Sequence, residues 1–165
     1  SHKKDFLVIG NQNAITYKKF FPLLKDDIVR LGVCSVKEFI VRDKDLHKLS
    51  KSIYWCDLEN EYKARFGNIS WFTTLHHDVP TKPLKLTKTY NEKDYPKYDN
   101  YNAINVDKVK DIPKDYFGYM GVPITYMNRH NKTQFEIVSF RKGNDGKDLS
   151  ISGKSKYARI IIKRK

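Results

Sequence analysis

FLVIGNQNAITYKKFFPLL, residues 6–24, is the stretch that decides the fold class. Phe6 to Gly10 is a continuous apolar run closed by glycine, the pattern of a strand buried on both faces of an α/β sheet. Asn11, Gln12 and Asn13 follow at its carboxy end, and then Tyr17, Phe20, Phe21 and Leu24 recur at helical spacing. A return segment runs from Ile28 to Val33. The reading is strand, helix, strand: a slice of a doubly wound sheet, in which ligands bind beyond the carboxy ends of the strands. No Gly-x-Gly-x-x-Gly turn or Walker loop accompanies it.

Outward from this unit the character changes. Val36 to Val41 precedes a charged, loop-like or weakly helical segment from Arg42 to Lys51, and Asn68 to Leu75 (NISWFTTL) is aromatic and β-branched enough to form a strand. From His76 to Asp115, Lys, Tyr, Asp, Asn and Pro dominate, which predicts an extended arm with one or two short strands. Gln134 to Phe140 and Tyr157 to Lys163 read as strands joined across a basic, turn-rich loop at 141–147, a plausible terminal hairpin. The expected class is α+β: a strand-helix-strand unit over 3–41, then a β-rich, loop-heavy region over 42–165.

Composition points to a polyanion. The 165 residues carry 32 Lys and Arg against 19 Asp and Glu, a formal charge of +13. The excess is uneven, with 19 basic and 9 acidic side chains in residues 80–165, so the binding face is expected there. Many of the 11 Tyr adjoin Lys, as in Lys97-Tyr98 and Lys156-Tyr157, a combination suited to phosphate contact beside ring stacking, although half-buried strand tyrosines look the same. Two cysteines, Cys34 and Cys56, without a Cys-x-x-Cys pair indicate neither a zinc site nor a disulfide framework. This cysteine usage leads to the expectation of a reducing cytoplasm, and no apolar run approaches the roughly 20 residues of a membrane span. Ser1-His2 without a Met reads as a cloning remnant, so the chain is expected to begin inside a longer protein.

Several segments, in order, resemble the EcoRI-type adenine-specific DNA methyltransferases: residues 6–24, ISWFTTL at 69–75, KYDNYNAINV at 97–106, GYMGVPITY at 118–126, QFEIVSF at 134–140 and the terminal GNDGKDLSISGKSKYARIIIK. The resemblance spans nearly the whole chain and identifies it as the carboxy-terminal part of such an enzyme. It implies that residues 3–41 are a piece of a Rossmann-like methyltransferase sheet. It also implies methyl transfer from S-adenosylmethionine to the adenine amine of double-stranded DNA, in a restriction-modification system whose cognate restriction enzyme shares the target site. The adenine amine is a poor nucleophile, so the base must be flipped and its amine held against acceptors. The family's Asn-Pro-Pro-Phe motif and its glycine-bearing cofactor strand are absent from this sequence. The isolated chain is therefore expected to be inactive and not to bind S-adenosylmethionine tightly.

By the same resemblance Asn11 and Asn13 line the flipped-base pocket; the alternative is that they cap the helix that follows. Three clusters are the candidates for DNA contact: Lys97, Tyr98, Asn100, Tyr101 and Asn102; Arg129, His130, Asn131 and Lys132; and Arg141, Lys142 and Lys147. Asn can pair bidentately with adenine, and the cations suit phosphates. For each cluster the alternative is a solvated loop. A metal-dependent nuclease is the rival reading, because Glu61-Tyr62-Lys63 after Asp43 or Asp45 imitates an acidic-acidic-x-Lys site, although its flanks do not read as a clean strand. A non-catalytic nucleic-acid-binding module is the third. Unpaired sheet edges also leave self-association open.

Overall fold

A computed structural model describes residues 4–32, 38–42, 52–76, 82–142 and 148–165. The chain divides into one unit formed by Ser1–Ala14 and Val29–His76 and another formed by Ile15–Ile28 and His77–Lys165. The expected boundary lay at residue 41. Strand pairing moves it, because the strand predicted at 68–75 pairs with the first strand and so belongs to the same unit.

The first unit holds β1 (Leu7–Asn11), β2 (Arg30–Leu31), β3 (Glu38–Ile40), β4 (Ile53–Cys56), β5 (Glu61–Arg65) and β6 (Ile69–Thr73). They form two antiparallel sheets, ordered β1-β6-β2 and β3-β5-β4. Threonines close one end of the first sheet: Thr73 Oγ1 donates to the Phe6 carbonyl at 2.7 Å, and the Phe6 N–H donates to Thr74 Oγ1 at 3.0 Å. The expectation of a first strand buried on both faces is corrected. β1 is an edge strand, and Leu7, Val8 and Ile9 are 54, 48 and 45% exposed. An apolar run reports surface that gains from burial; it does not say what buries it.

The expected helix is also shorter. A 3-10 helix, Gln12–Thr16, precedes α1 (Phe21–Lys25), a single turn with Pro22 in its first positions, where the missing N–H costs nothing. No helix among the described residues is long and apolar enough to cross a membrane.

In the second unit β7 (Lys97–Tyr98), β8 (Tyr101–Asn105), β9 (Met120–Pro123), β10 (Phe135–Arg141) and β13 (Arg159–Arg164) form a sheet ordered β10-β13-β9-β8-β7. The β8–β9 pair is parallel and the others are antiparallel. Ile160, Ile161 and Ile162 are all fully buried. Successive strand residues point to opposite faces, so both faces of β13 are covered. On one face Tyr98, Ala103, Leu149 and Ile161 form a core, with Tyr101, Val138 and Ile151 packed against it. α1 packs on β10, with Phe21 stacked 4.8 Å from Phe140 and Lys25 Nζ donating to the Val138 carbonyl at 3.1 Å.

The two terminal strands predicted from sequence do pair, Phe135 with Arg164 and Arg141 with Arg159. Between them the chain inserts a further hairpin, β11 (Leu149–Ile151) and β12 (Lys154–Lys156). Its turn is Ser152-Gly153 with φ of 50° and 72°, the two positive angles that a two-residue type I′ turn requires. Gly121 has a different duty: a Cβ there would collide with the Tyr98 hydroxyl.

Candidate DNA-contacting surface

Tyr98 pairs with Tyr101 across the β7–β8 turn, which leaves Asp99 and Asn100 at its tip. Both are occupied with the β11–β12 hairpin. The Asp99 carboxylate accepts the Ser152 and Gly153 N–H groups at 3.1 and 2.9 Å, and these bonds, Gly153 first, hold it below the usual aspartate range. Asn100 Nδ2 donates to the Asp148 carbonyl at 2.6 Å and its Oδ1 accepts the Ser150 N–H at 3.3 Å. Asn100 thus ties its own turn to β11.

Tyr98 is corrected from a DNA contact to a core residue. It is 5% exposed, and its hydroxyl donates to Asn105 Oδ1 at 2.8 Å with the Gly121 carbonyl at 3.2 Å. Burial pushes its phenol up to about 12. Lys97 and Asn102 are exposed, and Tyr101 is half-buried. The Arg141 guanidinium lies over the Tyr101 ring, 4.4 Å from its centroid, so the first and third clusters meet. Lys142 Nζ donates to Thr16 Oγ1 at 2.8 Å. Lys147 lies outside the described residues.

The second cluster follows a 3-10 helix, Ile124–Arg129, and is mostly scaffold. The buried Tyr126 hydroxyl is 2.9 Å from His130 Nδ1. Burial, then the nearby Lys132 and Lys165 charges, lowers His130 to about 4, so at neutral pH it offers phosphate no cation. Asn131 Oδ1 accepts the N–H groups of Thr133 and Gln134 at 3.0 and 3.1 Å, which forms the turn into β10. Lys132 is paired with Asp27 at 2.8 Å, and Asp27 itself has φ of 62°. Arg129 stands exposed.

Two residues absent from the sequence candidates complete the surface. Phe117 is 62% and Tyr119 37% exposed, with Arg164 5.2 Å from the first ring and Lys163 5.7 Å from the second. The aromatic run around Gly118 was the only sequence signal for them, and Lys163 ended what read simply as a terminal strand, with Arg164 just past it. By contrast Arg159 and Lys156 share Asp107 at 3.1 and 3.4 Å.

In the first unit Asn11 Oδ1 accepts the Asn13 N–H at 2.8 Å, so Asn11 acts as the cap that the sequence allowed; both side chains are exposed. The segment around Glu61, read as no clean strand, is β5. Lys63 in it is paired with Glu59, while Asp43 and Asp45 lie outside the described residues. Among the described residues no three His, Cys, Asp or Glu side chains are placed to hold a metal ion.

The described residues of the first unit do not form the parallel-strand crevice in which a doubly wound fold holds a cofactor such as S-adenosylmethionine. Among the described residues the unit's sheets are wholly antiparallel, and β1 leads through Gly10 and Asn11 into a 3-10 turn. That crevice lies beyond the carboxy ends of parallel strands, at a point where the strand order reverses.

The profile of the family described as adenine-specific methyltransferase EcoRI matches residues 1–165. The chain is 47% identical to the type II methyltransferase M.EcoRI of Escherichia coli over 169 residues, which cover 99% of this chain and 51% of that protein. It is 33% identical to M.MpnI of Mycoplasma pneumoniae and 35% identical to M.MgeORF184P of Mycoplasma genitalium, in each case over 99% of this chain and 58% of the relative. No solved structure matches the chain. The chain thus spans between half and three-fifths of the length of these curated relatives, and it belongs to the EcoRI adenine-specific methyltransferase family.

Proposed function

We propose that this chain is the target-recognition part of a site-specific DNA adenine methyltransferase, which in its whole form uses S-adenosylmethionine and protects the site cut by a cognate restriction enzyme. The observation that carries the reading is the 47% identity to M.EcoRI along 99% of the chain. The second unit supports it, with exposed Lys97 and Lys163, half-exposed Arg141 and Arg164, and the rings of Tyr101 and Phe117 beside those two arginines on a well-packed sheet. Such a surface positions the protein on phosphates while other groups read or distort bases.

The first unit is then the antiparallel margin of a Rossmann-like methyltransferase sheet whose parallel strands lie elsewhere in the whole enzyme, and the exposed apolar side chains of β1 are the surface that the remainder of that sheet covers. In the chain alone the same edge is open to a second copy. Asn11, exposed at the end of β1, and Asn13, exposed in the 3-10 turn after it, line the flipped-base pocket in the whole enzyme.

The test is binding of this chain to short duplexes at about 50 and 200 mM salt, with random RNA as competitor. Steep salt dependence together with preference for one duplex sequence is expected. Equal binding to RNA and to all duplexes would instead favour a general polyanion-binding module.

A further inference from the structure

We propose that Phe117 is a wedge that enters the base stack of bound DNA, flanked by Arg164 as a phosphate clamp. The inference deepens the DNA-binding reading above and rests on it. Phe117 is the most exposed aromatic ring among the described residues of the second unit. An exposed Phe forfeits roughly 1.5–3 kcal/mol of burial, so its position at the tip of a tightly held loop calls for an occupant.

The loop is held at several points. Lys114 N–H donates to the Lys88 carbonyl at 2.9 Å, beside a parallel bridge between Lys88 and Pro113. The Asp115 carboxylate accepts the Tyr90 N–H at 2.8 Å, and the Tyr116 ring packs 4.7 Å from Tyr90. Arg164 donates to the Lys114 carbonyl while its guanidinium lies 5.2 Å from the Phe117 ring. Phe117 is therefore presented on rigid backbone, with little order left to gain on binding.

The charges around the ring choose the partner. Arg164, beside the ring, is half-exposed, and Lys114, whose carbonyl it holds, is exposed. The nearby Asp115 is engaged by the Tyr90 N–H. An apolar ring with a guanidinium beside it suits a ligand that is apolar within and anionic without, which describes stacked bases between phosphates. Apolar side chains inserted at a base step unstack and kink a duplex, and the flipping of an adenine begins with such unstacking.

The test compares this chain with F117A and F117W on an intact duplex and on the same duplex carrying one abasic site, in which the stack is already broken. The unmodified chain is expected to bind the abasic duplex about 10-fold more tightly, because the cost of unstacking is removed. F117A is expected to bind both about equally, having lost the affinity of roughly one stacked base. F117W is expected to keep the preference, with its added tryptophan fluorescence quenched on binding.

If F117A retains the abasic preference, or if the new tryptophan stays unquenched in the complex, the wedge is overturned while DNA binding stands. If F117A instead abolishes self-association seen by sedimentation, the ring is a protein contact and the wedge is likewise overturned. Failure of the unmodified chain to bind any duplex sinks the DNA-binding reading and the wedge together.

Discussion

The guanidinium of Arg141 sits 4.4 Å from the centre of the Tyr101 ring, joining two strands that are not neighbours in their sheet. Arg141 Nε is buried without a hydrogen-bond partner among the described residues, so the ring holds the guanidinium in its place. Fixed in this way, Arg141 can meet a phosphate without first losing its side-chain freedom.

Arg141→Ala should weaken duplex binding and reduce the salt slope by about one released counterion, measured by anisotropy over a range of salt. Arg141→Lys should restore the slope yet lose the coupling to Tyr101, worth about 0.5–1 kcal/mol in a double-mutant cycle with Tyr101→Ala. A zero coupling would mean that the stacking is incidental.

Lys132 and Arg129 are three residues apart and should behave differently. Lys132 already has Asp27 as partner, whereas Arg129 is exposed at the end of its 3-10 helix. Arg129→Met is therefore expected to flatten the salt dependence of DNA binding more than Lys132→Met. The reverse ranking would place the second cluster's DNA contact at Lys132.

His130 makes stability depend on pH. Its folded value is lowered to about 4, chiefly by burial, below the ordinary histidine value of about 6.5 in the unfolded chain. The unfolded state therefore takes up a proton first as pH falls. The stability of the neutral, buried form is fully present above about pH 6.5, declines as pH falls toward 4, and levels off below that. Urea midpoints of His130→Gln should show a shallower fall over this window than those of the unmodified chain, and identical slopes would contradict the assignment.

Tyr98→Phe removes a buried hydroxyl shared by Asn105 and the Gly121 carbonyl. A loss of about 1 kcal/mol of stability is expected, with DNA affinity of the folded protein unchanged. Thermal melts and binding measured on the same preparation separate the two. Loss of affinity without loss of stability would return Tyr98 to the DNA surface.

Much of the strand content was legible in the chain. NISWFTTL alternates bulky and β-branched residues and became β6; Gln134–Phe140 and Tyr157–Lys163 carried enough apolar runs to become β10 and β13. The arm from 76 to 115 showed itself by its prolines, and its two short strands are β7 and β8. The Ser152-Gly153 hairpin did not stand out, because the sequence of a two-residue turn is short and the flanking strands are only three residues each.

The site was less legible, since residue type says what a side chain can do and not whether something else already occupies it. Asn100, Asn131 and Lys132 have the chemistry for DNA, and in the fold they hold a hairpin, a turn and an aspartate. Phe117 has the chemistry of a core residue and stands in solvent. The sequence by itself determined the basic second half, the apolar first strand and the family, because composition, local periodicity and ordered motifs are properties of neighbouring residues. Only the tertiary structure decided that β1 is an edge, that Tyr98 is buried, and that Arg141 meets Tyr101. Those depend on contacts between segments tens of residues apart, where burial and partner choice are settled by packing rather than by the local chain.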